Sequence, residues 1–184
     1  MRRLTVIALV LLLLLASSTA ALARAPQAAP APGEDSIAEI AIAAEFTELV
    51  AALLYVDAEL DTGLVDLFLS GTDQYTVFAP TNEAFQDIYD LYDDVANITD
   101  LDAELVLNVL LYHVVEGRRA ANSVVPPVGD RTIATLLGAT FTVDSDGVIT
   151  DIAGQEAKIV AANISASNGI IHVIDTVILP LESE

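Results

Sequence analysis

Few side chains in this sequence are equipped for bond-making chemistry. Of 184 residues, two are histidine and none is cysteine or tryptophan. The lack of cysteine excludes a thiol nucleophile, a thiolate zinc site and a disulfide framework. A Ser–His–Asp arrangement has one set of candidates, Ser167, His172 and Asp175. Ser167 lies in no strand-to-helix elbow, and the odd spacing of His172 and Asp175 puts them on opposite faces of a regular strand. The second histidine, His113, is far away in sequence, so zinc has no local pair of imidazoles. Asp144 and Asp146 before Gly147 supply two carboxylates of a calcium loop and lack the rest, which reads as a turn. Asp87, Asp90 and Asp94 fall on one face of an expected helix and read as solvated acidic surface. No catalytic residue, metal ligand or cofactor is therefore expected.

Charge excludes further classes. The chain carries 27 Asp and Glu against 7 Lys and Arg, a net charge of −20. Nucleic-acid binding rests on neutralising phosphates with basic side chains, which this sequence does not supply. The same charge repels anionic lipid surfaces. Two sequons, Asn97-Ile98-Thr99 and Asn163-Ile164-Ser165, matter only in a host that glycosylates.

Residues 1–25 read as an export signal, with Arg2 and Arg3 ahead of an unbroken apolar run from Leu4 to Leu15. Ala21-Leu22-Ala23 and Ala23-Arg24-Ala25 both fit a small-x-small cleavage site. Twelve helical residues span only about 18 Å, short of a hydrocarbon core of roughly 30 Å. The expectation is an exported protein with no integral membrane span once the leader is removed. Residues 26–35 form an Ala/Pro linker, expected to be extended and unpacked. One domain is expected over 36–181, followed by a short tail, 182–184.

Within the domain the first half is helical. Apolar residues at three- and four-residue steps predict a helix from Ile37 to Leu54, capped by Asp35 or Ser36, and a short one over Gly63–Leu69. Tyr75–Phe78 is β-branched and aromatic and predicts a strand ended by Pro80. Thr81 or Asn82 caps a helix reaching about Tyr92, and Thr99-x-x-Asp102 opens another from Leu101 to His113. After Pro126-Pro127 the helical period stops. Strands are expected over Ala139–Val143, Gly147–Ile152, Ala157–Val160 and Ile170–Leu179, the last apolar on both faces and therefore central. Helices followed by strands argue for an α+β fold.

Three stretches in order resemble the fasciclin-like domain family. They are Tyr75-Thr76-Val77-Phe78-Ala79-Pro80-Thr81-Asn82-Glu83-Ala84-Phe85, then Val109-Leu110-Leu111-Tyr112-His113-Val114-Val115-Glu116-Gly117, then Ala166-Ser167-Asn168-Gly169-Ile170-Ile171-His172-Val173-Ile174-Asp175. Thr135-Leu136-Leu137-Gly138 fits the segment between the last two, and the likeness covers about Ser36 to Leu181. It implies helices packed around a wedge-shaped β-sandwich. It further implies a secreted or surface protein that mediates adhesion or matrix binding, without enzymatic activity. The partner implied is a surface or matrix protein, a polysaccharide or a second copy of the chain. Tyr112-His113 matches a pair linked to cell binding in animal members. The Asp-Ile pair of those members falls on Asn163-Ile164, where the acid is missing. These four residues are the partner-binding candidates. Some members resemble carriers of an apolar pigment or lipid, which is the alternative function. The residues alone assign both histidines to packing, His113 with one ring nitrogen satisfied and His172 as a hydrogen-bonded core residue.

Overall fold

The computed structural model describes residues 30–90 and 94–180. The leader and the C-terminal tail lie outside them. The expected first helix is two. Ser36 caps α1 (Ile37–Ala43) in a capping box with Glu39, and α2 runs over Thr47–Leu60. Between them Glu45 takes a left-handed φ of 58°. A distant side chain fixes this break. Asn82 accepts from the Glu48 N–H at 3.2 Å and donates to the Glu45 carbonyl at 2.9 Å.

Asp57 of α2 then accepts from the Leu64 and Val65 N–H groups, capping α3 (Leu64–Ser70). Strand β1 (Tyr75–Pro80) is followed by α4 (Asn82–Tyr89), capped by Thr81 as expected. This helix closes at Asp90; the expected end at Tyr92, and the turn that would join Asp90 to Asp94 on one helical face, lie outside the described residues. The capping signal further on is also displaced. Asn97 and Asp100 form the box around a 3₁₀ turn (Ile98–Asp100), and Asp102 caps α5 (Ala103–Tyr112).

The remaining elements are β2 (Val114–Glu116), α6 (Ala121–Val124), β3 (Arg131–Ala134), β4 (Thr140–Val143), β5 (Val148–Thr150), β6 (Glu156–Ala166) and β7 (Gly169–Ile174). The strands join in the order β2-β1-β7-β6-β5-β4-β3. Among the described residues only β1 and β7 pair in parallel. All six residues of β7 are buried, which agrees with the central strand expected there. It ends at Ile174, earlier than expected, and the chain to Leu179 continues outside the sheet.

Strand β6 is far longer than the apolar pattern suggested. It pairs with β5 through Glu156–Lys158 and with β7 from Ile159 onward, with register shifts at Ile159/Ala161 and Ala161/Ile164. Bulges bend a strand and increase its twist. They let β6 pass from one half of the sheet to the other.

The folded sheet separates two cores. Phe78, Tyr112, Val115, Ile133, Phe141 and Ile174 meet between its two halves. Val77 and Ala79 of β1 face the other way, into a core with α1 to α5. This is the α+β arrangement of helices around a sandwich. The described end of the linker is not unpacked. Gly33 donates to the Ala166 carbonyl, and the Arg118 guanidinium donates to the carbonyls of Pro30, Ala31 and Ala166.

Candidate functional site

Tyr112 and His113 close α5 and point to opposite sides of the sheet. Tyr112 has no exposed surface. Its hydroxyl donates to the Thr140 carbonyl at 2.8 Å and accepts from the Ile152 N–H at 3.3 Å, and its ring packs edge-on against Phe141. Burial pushes the phenol up to about 12. The residue ties α5 to the far half of the sandwich.

His113 is 2% exposed. Its Nε2 accepts from the Ile178 N–H at 3.2 Å, so the proton sits on Nδ1 and is donated to the Val109 carbonyl at 2.7 Å. Burial drops this ring to about 4, against a smaller opposing pull from the Val109 carbonyl. The ring is neutral and joins the end of α5 to the segment after β7. Both ring nitrogens are satisfied, one more than packing alone requires.

Asn163 and Ile164 sit at the β6 bulge, with hydrogen-bond partners different from those of Tyr112 and His113. Asn163 has a left-handed φ of 65°, which Asn tolerates better than most residues. Its Oδ1 accepts from the Ala121 N–H at 2.8 Å, at the start of α6. Its own N–H donates to His172 Nδ1 at 3.4 Å, and His172 Nε2 donates to the Arg119 carbonyl at 2.9 Å. His172 is fully buried against Phe78, and burial lowers its pKa, opposed by the Arg119 carbonyl. The two histidines thus use opposite tautomers. Ile164 is half-buried and packs into the helix-side core. Asp175 turns away from His172 to accept from the Lys158 N–H, so Ser167, His172 and Asp175 are not brought together as a triad.

The structure places its accessible apolar surface elsewhere. A cleft of about 150 Å³ opens between α1, α2, α3 and the end of α5. Ile42, Leu54 and Leu69 line it and stay 62%, 55% and 44% exposed. A second cleft of about 190 Å³ lies between α2, α4, α5 and the C-terminal segment. Leu49, Leu110 and His113 line both clefts and form the wall between them. The sequence signal for the first cleft was present but ambiguous. The apolar positions of α1 and α2 are more than one buried stripe needs. Periodicity cannot say which of them remain outside.

A family model for the fasciclin domain matches residues 44–180. The chain belongs to the fasciclin domain family. The cell surface glycolipoprotein MPT83 of Mycobacterium tuberculosis is 36% identical over 122 residues, 65% of this chain and 49% of that protein. This fasciclin domain protein therefore spans about half the length of that relative. Protein sll1483 of Synechocystis is 37% identical over 151 residues, covering 79% of this chain and 73% of its own. Immunogenic protein MPT70 of Mycobacterium tuberculosis is 36% identical over 140 residues, 74% of this chain and 64% of that one. Among solved structures, the fasciclin domain pair of insect fasciclin I superposes with a TM-score of 0.52 at 21% identity, over 73% of this chain and 46% of that one. That likeness establishes the fold. Among the described residues no helix is long and apolar enough to cross a membrane.

Proposed function

We propose that this fasciclin domain protein is exported and binds a surface or matrix molecule through its helical face, making and breaking no bond. The observation that carries the proposal is the exposed apolar rim of Ile42, Leu54 and Leu69 over an apolar cleft. Exposed apolar surface grouped around a cleft is a common mark of an interaction site. Relatives named as cell surface glycolipoproteins support an extracytoplasmic location. Tyr112, His113, Asn163 and Ile164 contribute in this reading by holding the scaffold rigid beneath that face, because the first two have almost no surface to offer.

The carrier reading has both clefts in its favour but asks for more room. Pockets for whole small ligands run from about 300 to 1,000 Å³, whereas these clefts hold about 150 and 190 Å³. An apolar cavity near the lower figure takes a group the size of benzene. Such a volume suits one anchoring side chain better than a pigment.

Saturation binding of the labelled protein to envelopes of its host tests the proposal. Combined Ile42→Ser, Leu54→Ser and Leu69→Ser is expected to weaken binding by about ten-fold or more. All three side chains are exposed, so the fold should persist. Unchanged affinity would remove the helical face from the account.

A further inference from the structure

We propose that the cleft between α1, α2 and α3 docks a basic amphipathic helix of a partner protein, with one of its apolar side chains seated in the cleft. The proposal rests on the reading that this protein binds through its helical face, and it names the chemistry of the partner.

Two independent features define the occupant. The first is the cleft, whose lining exposes apolar surface and whose size fits a single aliphatic or aromatic side chain. Ile42, Leu54 and Leu69 come from three different helices, so the apolar surface extends beyond the cleft itself. A helix laid into a groove presents apolar residues at steps of three and four, one buried deeply and the others along the rim.

The second feature is charge. From residue 30 to residue 117 the sequence contains no lysine and no arginine. That stretch includes all of α1 to α5. Exposed Glu39 stands one helical turn before Ile42, exposed Asp66 one turn before Leu69, and exposed Glu45 just beyond the end of α1. The described basic residues, Arg118, Arg119, Arg131 and Lys158, belong to the later part of the chain. Arg118 is already engaged by backbone carbonyls. An approaching partner therefore meets apolar surface flanked by negative charge of one sign.

This pattern decides among occupants. A second copy would bring the same acidic rim against this one. A fatty acid or anionic lipid would find no lysine or arginine on α1 to α5 for its head group. A partner whose apolar stripe is bordered by Lys and Arg satisfies both features, and its charges steer the encounter.

The probe is a synthetic amphipathic peptide of about 18 residues, with Leu at helical three- and four-residue steps and Lys between them. Its binding to the full protein is followed by fluorescence anisotropy. Saturable one-to-one binding is expected, about ten-fold or more tighter than for a peptide in which Ser replaces Leu and every Lys is kept. A peptide that keeps every Leu and carries Glu in place of each Lys should not bind. Ile42→Ser with Leu54→Ser and Leu69→Ser should abolish the gain, and Glu39→Gln with Asp66→Asn should flatten its salt dependence. Ile152→Ser with Val160→Ser, exposed apolar residues outside the cleft, should leave binding unchanged. Equal binding of the Lys-only peptide, or indifference to the triple substitution, would overturn the proposal and leave only general charge attraction. The two readings fail separately. Envelope binding that depends on Ile42, Leu54 and Leu69 but is not displaced by the Leu/Lys peptide sinks the basic-helix proposal alone. Envelope binding indifferent to those residues sinks the helical-face reading itself.

Discussion

At His113 one buried ring ties chemistry to stability. Nε2 must stay unprotonated to accept from the Ile178 N–H, so protonation would set two donors against each other. The folded ring is held at about 4, below its ordinary 6.5. Between those values the unfolded chain binds a proton that the folded one refuses, so stability rises with pH there. Its contribution is complete above about pH 6.5 and is lost as pH falls toward 4. The gap amounts to about 3 kcal/mol. His172 is depressed in the same direction, so the test is a difference. Denaturant unfolding of the protein and of His113→Gln should be compared from pH 7 down to pH 4. The margin of the natural residue over glutamine should shrink by about 3 kcal/mol; a constant margin would contradict the assignment. The apolar stripe of α5 was enough to place His113 in the interior. Its second hydrogen bond was not legible, because Ile178 lies in a segment that reads as continuous strand.

Among the elements, the junctions escaped sequence reading more than the helices and strands did. Three asparagines act at a distance. Asn82 closes the α1–α2 break, Asn163 caps α6, and Asn168 accepts from the Ile37 N–H at 2.8 Å while donating to the Phe68 carbonyl at 2.9 Å. A cap drawn from a remote part of the chain leaves no local spacing to read. The bulges of β6 are hidden for a similar reason: Ala161-Ala162-Asn163 has weak strand preference, and pairing with β7 and β5 decides the matter.

By residue type Asn168-Gly169 reads as a turn whose glycine takes a positive φ, but glycine is needed there for a different reason. Gly169 is absent from the positive-φ glycines, and a Cβ on it would lie 2.2 Å from the Tyr75 carbonyl oxygen and 2.6 Å from Ile37 Cδ1. Gly169→Ala should therefore destabilise by about 3 kcal/mol or more, by forcing β1 and β7 apart. At Gly154 the φ of 82° leaves the added methyl in open space, and alanine should cost only about 1 kcal/mol through strain. Chemical denaturation of the two variants checks the contrast, and equal losses would show that close approach is not what fixes Gly169.

Across the whole molecule, the α+β class, the central last strand and the family were legible from β-branched runs, caps and three ordered motifs. The crossing of β6 from one sheet half to the other was not, since it is set by bulges and by pairing with β5 and β7. Nor was the surface. Tyr112 and His113, the residues the family likeness singles out, turn inward, while Ile42, Leu54 and Leu69 remain outside on helices whose apolar pattern looks uniformly buried. The division of labour follows from this. Strands and two separately hydrogen-bonded histidines hold a rigid interior, and a wholly acidic helical layer presents an apolar seat. Hydrogen-exchange mass spectrometry of the protein bound to its host envelope tests that division most directly. Added protection is expected over Ile37–Ala43, Thr47–Leu60 and Leu64–Ser70, with little change in Thr140–Val143 and Val148–Thr150. Protection confined to the strands, with the three helices unchanged, would contradict it.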